Sequence, residues 1–171
     1  VHLKDLIRDI PDFPEPGIVF KDITPVLADA SAFALLVQVM ADPFRDARVG
    51  KVAGIEARGF TLAAPVATEL GAGFIPLRKP GKLPYRVVRQ EYALEYGTDA
   101  LEVHVDAVES GDRVLLVDDV IATGGTASAA INLLTQVGAE LVGFSAFIEL
   151  AFLKGREALP EVTFHALVQY D

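Results

Sequence analysis

Cysteine is missing altogether from these 171 residues. Its absence excludes a disulfide scaffold and a thiolate nucleophile, and it removes the Cys/His sets that bind structural zinc. Histidine is nearly as scarce. His2, His104 and His165 form no convergent arrangement with other ligands, so no protein-built metal site is expected, and His165, set among Phe and Leu, reads as structural. Positive charge is short as well: 15 Lys and Arg against 24 Asp and Glu leave a net charge of −9. That balance argues against general affinity for nucleic acid or an anionic membrane, and any phosphate site must be locally basic. No long uninterrupted apolar segment and no basic-then-apolar leader occur, so the expectation is a soluble, cytoplasmic protein. With 51% hydrophobic residues, the chain can bury a full core as one domain over 1–171.

The most informative stretch is RVLLVDDVIATGGT, Arg113 to Thr126. It starts as an apolar strand of the kind buried in a parallel sheet, turns acidic at Asp118 and Asp119, where the strand is expected to end, and then becomes small and glycine-rich. The helix-like ASAAINLLTQVG follows, which puts Thr123, Gly124, Gly125 and Thr126 in a tight loop at a helix N-terminus. Such a loop binds phosphate through converging main-chain N–H groups, hydroxyl donors and the helix dipole. A plain turn after a core strand is the competing reading. The paired acids do not suit a phosphate, but they do suit a ribose diol, whose hydroxyls donate to carboxylates. A ligand with a sugar and a 5'-phosphate satisfies both halves.

The rest of the chain alternates strands and helices. Val1 to Asp9 has the spacing of a short amphipathic helix, and residues 10–27, IPDFPEPGIVFKDITPVL, form a proline-interrupted extended or turning segment. Phe13, Ile18, Val19, Phe20 and Ile23 within it call for burial. Ser31 is the expected cap of the next helix. KVAGIE (51–56) reads as a buried strand and 59–70 as its helix. Arg58 at their junction serves either a diphosphate or a surface ion pair. A short strand (73–77) leads into RKPGKLPYRVVRQ, the most basic stretch, which is read as a loop: either a solvated surface or a flap carrying cations over a site. The alternating residues 91–105 suggest a hairpin turning near Gly97, 140–150 another strand, and FHALVQY (164–170) the last.

Four motifs in this order resemble the adenine phosphoribosyltransferase family of type I phosphoribosyltransferases, and the likeness runs from Asp9 to Tyr170. They are the 11–27 segment, Glu56-Ala57-Arg58-Gly59, RKPGKLP with its returning Leu94-Glu95-Tyr96-Gly97, and the Asp118-Asp119 loop; Glu149-Leu150 and 153–157 fit the pattern too. The resemblance implies an α/β fold with a mostly parallel central sheet flanked by helices, a small N-terminal hood contributed mainly by 10–27, and a flexible flap. It implies that adenine and phosphoribosyl pyrophosphate are converted to AMP and pyrophosphate, with Mg2+ bound mainly through the substrate diphosphate and ribose.

Carried over, Phe20 and Leu150 hold the two faces of adenine, the main chain of Val19 and Lys21 meets its edge, and Glu95 manages the purine proton. Ala57, Arg58, Arg78, Lys79 and Lys82 serve the diphosphate. Asp118 and Asp119 hold the ribose, and Ala122, Thr123, Gly124, Gly125 and Thr126 the 5'-phosphate. The family also implies a homodimer in which Arg78 crosses towards the partner's site. Lys21 stands where Arg is common, Ala57 where some members have Ser, and Val120 and Ile121 replace the commoner leucines. Rival expectations are a phosphoribosyl pyrophosphate sensor that binds DNA, which lacks a basic module here, and a transferase for hypoxanthine, guanine or xanthine, against which the hood segment argues.

Overall fold

The computed structural model describes residues 2–94 and 96–171. A single 3-10 turn, Leu3–Leu6, precedes a hairpin of β1 (Arg8–Pro11) and β2 (Val19–Asp22), then helices α1 (Thr24–Ala28) and α2 (Ala30–Ala41). Next come β3 (Lys51–Ile55), α3 (Arg58–Leu70) and β4 (Gly73–Leu77), followed by an antiparallel hairpin of β5 (Val87–Ala93) and β6 (Thr98–His104). The chain ends with β7 (Arg113–Ile121), α4 (Gly125–Gln136), β8 (Glu140–Leu150), α5 (Gly155–Ala158) and β9 (Phe164–Tyr170). Five strands make the central sheet in the order β4-β3-β7-β8-β9, all parallel. The two hairpins stand outside it as separate two-stranded sheets.

Parallel strands buried on both faces need cover on both sides, and the side chains of β7 divide accordingly. Leu115 and Val117 join the core under α2 and α3, whereas Val114 and Leu116 join the core under α4 and the β5–β6 hairpin. Helix α3 buries Gly59, Leu62, Ala63, Val66 and Ala67, one stripe at helical spacing. It closes at Gly71, whose φ of +67° suits the left-handed cap, with Ala72 N–H bonded back to Ala67 O at 2.8 Å.

Several expectations change. The N-terminal helix is only the 3-10 turn, because from Arg8 the chain pairs with β2, reinforced by the Arg8–Asp22 ion pair at 2.9 Å. Asp29, not Ser31, caps α2: its Oδ1 accepts from Ala32 N–H at 2.9 Å. The basic stretch is a loop only to Arg86, since Val87 to Gln90 already belong to β5. Strand β7 does not stop at the acids but continues to Ile121, because main-chain pairing to β8 at Val120–Ile148 and Ile121–Glu149 is indifferent to side-chain charge. In the hood, Ile23 is buried as expected, yet Phe13, Ile18 and Val19 stay about half exposed, at 50%, 44% and 50%. A two-stranded hairpin brings no second layer to cover them; Phe13 instead packs edge-on against Phe20, ring centroids 5.2 Å apart.

The contact that sets the height of α3 over the sheet is glycine-dependent. A Cβ on Gly54 of β3 would lie 2.5 Å from the Ala63 Cβ and 3.2 Å from the Phe74 ring. Gly54→Ala must push the helix outwards, and overpacking of this kind costs about 2 kcal/mol. The expected fall in melting temperature is roughly 4–8 °C, read by thermal circular dichroism. A wild-type melting curve would mean that α3 does not seat on Gly54.

Candidate active site

In an open parallel sheet, ligands gather where the strand order reverses, outside the strands' carboxyl ends. Here the chain runs from β3 outward to β4 and returns on the other side of β3 as β7, so the switch point lies between β3 and β7. A cleft of about 300 Å³ opens there. Its walls are the β3 exit, Ile55 to Gly59, the β7 exit, Asp118 to Gly124 with Thr126 and Ala127, and Lys79 from the flap.

The two acids differ sharply in environment. Asp119 is 4% exposed and accepts from Arg58 Nε at 2.5 Å. Among the described residues Asp118 has no such partner; its Oδ1 accepts from the Asp119 N–H at 2.9 Å and sits where a Cβ on Gly59 would come within 2.7 Å. Burial, then the neighbouring Asp119 charge, pushes the Asp118 carboxyl well above its ordinary value of 3.8. Arg58 shows the opposite balance. Burial acts to lower its pKa, but the charge and hydrogen bond of Asp119 outweigh it and the net shift is upward. The Arg58 guanidinium also lies over the Phe20 ring, 5.0 Å from the centroid, so one side chain links the β3 loop, the acids and the hood.

Beyond the acids, Gly124 adopts φ +87° and leads into α4, which begins at Gly125 without a side-chain cap. The first N–H groups of such a helix have no partner within it, and Thr126 and Ala127 line the cleft. Gly124 is required twice over: for the left-handed conformation, and because a Cβ would fall 2.3 Å from Gly155 O.

The flap, residues 78–86, is rooted by acids that sequence reasoning missed. Glu56 accepts from Lys79 N–H at 2.7 Å and Arg78 Nε at 3.2 Å, and buried Glu102 accepts from Gly81 N–H at 3.0 Å. Arg78 also exchanges both main-chain bonds with Glu102. Lys79 Nζ donates to Asp99 and, at 2.9 Å, to the Tyr92 hydroxyl. Burial works against the Lys79 charge, but the Asp99 bond raises its pKa overall, and the same bond lowers that of Asp99. The only sequence hint was acid density around a basic loop; the partners lie 20 to 23 residues away and emerge only with the fold.

Of the residues singled out from sequence, the cleft brings together Ala57, Arg58, Lys79, Asp118, Asp119, Ala122, Thr123, Gly124 and Thr126. Gly125 opens α4 just behind it. Arg78 is half-buried on Glu56, and Lys82 is exposed further along the flap. Phe20 touches the site through Arg58, while Val19 stands exposed beside it on β2. The Lys21 side chain is turned elsewhere, bonded to Asp9 at 2.6 Å and lying over the Tyr170 ring at 4.1 Å. Leu150 is half-buried at the end of β8. Glu95 lies outside the described residues.

Comparison with known proteins identifies the family and the fold. The family profile described as phosphoribosyl transferase domain matches residues 32–166. An adenine phosphoribosyltransferase of Acidothermus cellulolyticus is 59% identical over 163 residues, covering 95% of this chain and 92% of that protein. The crystal structure of the enzyme of that name from Rhodothermus marinus has a TM-score of 0.95 at 53% identity, covering 98% of this chain and 96% of the other. That from Saccharomyces cerevisiae, complexed with an imino-altritol bisphosphate and adenine, has a TM-score of 0.93 at 37% identity, covering 96% of each chain. With the profile spanning most of the chain and relatives this similar over nearly their full length, the chain belongs to the adenine phosphoribosyltransferase family.

Proposed function

We propose that the cleft between β3 and β7 transfers the 5-phosphoribosyl group of phosphoribosyl pyrophosphate to adenine, giving AMP and pyrophosphate in purine salvage. One observation carries this reading: an adjacent acid pair, an uncapped helix N-terminus and an arginine loop converge on a single cleft. A diol, a phosphate and a diphosphate are the three groups that such an arrangement recognises. The yeast relative's complex with an imino-altritol bisphosphate and adenine supports a ligand pair of this chemistry.

In this mechanism Asp118 and Asp119 hold the ribose hydroxyls, and the loop from Ala122 to Thr126 holds the 5'-phosphate. Arg58, the Ala57 main chain, Lys79 and Lys82 take the diphosphate. As the C1'–O bond breaks, positive charge grows at C1' and negative charge on the leaving group, so prearranged acids on one side and cations on the other lower the barrier. To act, Arg58 exchanges Asp119 for the diphosphate and Lys79 exchanges Asp99, while closure of the flap excludes water. Phe20 and Leu150 sandwich the purine, and Glu95 serves its imidazole side as general base or hydrogen-bond partner.

The edge of the base is read by the main chain of β2. Val19, which stands opposite Pro11, would offer its carbonyl to the adenine amino group, and Lys21 its N–H to the ring edge. The carboxylates of Asp118 and Asp119 face the cleft, and their oxygens are the hard donors that would suit a magnesium ion carried in by the substrate. A bound magnesium ion would neutralise part of the diphosphate charge. The enzyme is proposed to work in the cytoplasm as a homodimer in which Arg78 supplements the partner's diphosphate site. No helix among the described residues is long and apolar enough to cross a membrane.

The assignment is tested by incubating the protein with phosphoribosyl pyrophosphate, Mg2+ and each purine base and measuring the nucleotide formed. Because hypoxanthine reverses the donor and acceptor at the edge read by Val19 and Lys21, kcat/KM for adenine should exceed that for hypoxanthine by roughly 10⁴. Equal efficiencies would remove the main-chain reading of the base. The acids make a second, pH-dependent test. The folded state holds the Asp118 proton to higher pH than the unfolded chain does, so this group's stabilising effect is complete below 3.8 and lost as pH rises towards the folded value. Asp118→Asn should therefore melt above wild type at neutral pH, with the advantage vanishing below 3.8, while kcat falls by at least about 10². A variant that melts lower at neutral pH would make Asp118 a structural residue.

A further inference from the structure

Glu149 and Arg156 form an ion pair that the transfer reaction leaves unused. Glu149 is 4% exposed near the end of β8, and Arg156 on α5 grips it with both ends of its guanidinium, Nε to Oε2 at 3.2 Å and Nη2 to Oε1 at 2.8 Å. The Phe164 ring lies 4.4 Å from the same guanidinium, so its orientation is fixed from a second direction. A buried carboxylate is costly unless paired, and Arg156 supplies the partner from α5, a helix only four residues long.

What α5 carries is the neighbour of Arg156. Gly155 is packed main chain to main chain against the loop after β7: a Cβ on Gly155 would lie 2.3 Å from Ala122 O, and one on Gly124 would lie 2.3 Å from Gly155 O and 3.0 Å from the Ala158 Cβ. Nothing flexible intervenes. Glu149 is also in sheet register with Ile121, the residue before Ala122. The contacts thus close a ring from Ile121 across the sheet to Glu149, through Arg156 to Gly155, and back to Ala122 and Gly124.

We propose that Glu149 and Arg156 are positioning residues for the 122–126 loop, setting through Gly155 the placement of the N–H groups that receive the 5'-phosphate. The inference rests on the proposed reading of that loop as the phosphate site. It assigns the pair no contact with substrate. Displacement of α5 by a fraction of an ångström moves Ala122 and Gly124, whereas the Ala57–Gly59 loop, on the other wall of the cleft, has no part in the ring.

The test separates the two walls. Arg156→Lys keeps the charge but not the two-pronged grip, and Gly155→Ala attacks the contact directly. Isothermal titration with ribose 5-phosphate and with inorganic pyrophosphate, alongside circular dichroism to confirm folding, reads each wall by its own ligand. Both variants should bind ribose 5-phosphate at least about 10-fold more weakly, with pyrophosphate affinity within about 2-fold of wild type. Amide exchange should quicken at Thr123–Ala127 and not at Ala57–Phe60. Wild-type ribose 5-phosphate affinity in both variants, or equal weakening of both ligands, overturns the proposal. Failure of the wild-type protein itself to bind ribose 5-phosphate overturns the phosphate reading instead, and exchange rates then decide whether α5 holds the loop.

Discussion

The Arg58–Asp119 pair is the contact on which the cleft depends. It joins the exits of the two strands that flank the switch point, places a cation over Phe20, and leaves Asp118 as the acid without a cation of its own. Burying two adjacent carboxylates is expensive, and the structure meets the cost by treating them unequally: Asp119 is matched to a guanidinium, Asp118 shifts its protonation. In the proposed reaction Arg58 leaves Asp119 for the diphosphate while Asp119 turns to the ribose hydroxyls, so a molecule carrying both groups compensates both partners of the pair.

The second determinant is close backbone approach. Gly54 lets α3 sit down on β3, Gly59 gives room to the Asp118 carboxylate, and Gly124 and Gly155 interlock at the loop after β7. These positions fix the cleft's walls to within the thickness of a methyl group. Each lies on a different element, so the site's dimensions are set by packing between layers and not by any one loop.

Much of this could be read from the sequence. The strands at 73–77, 140–150 and 164–170 and the helix of α3 were legible because buried parallel strands and an amphipathic helix leave unbroken or periodic apolar patterns. The acid pair and the glycine loop stood out because polarity and size change abruptly there. Other features left no local trace. The end of β7 was misjudged because pairing with β8 depends on the partner's backbone, and Asp29 was overlooked because Ser31 is an equally good capping type two residues on. The anchoring roles of Glu56, Glu102 and Asp99 leave little trace in the sequence, because acids of an acidic chain are singled out only when folding brings the flap to them.

The way the flap is fastened has a consequence for how its sequence can change. Glu56 and Glu102 hold it mainly by main-chain N–H groups, those of Lys79 and Gly81, and its far end is held by the Val105 N–H to Arg86 O bond at 3.0 Å. Anchors of this kind do not read side chains. The exposed Lys82 and Pro84 can therefore be exchanged for residues of other size or charge while the loop keeps its footing and span. Evolutionary drift in the flap can retune its attraction for anions separately from its reach, and the two properties become independent variables under selection.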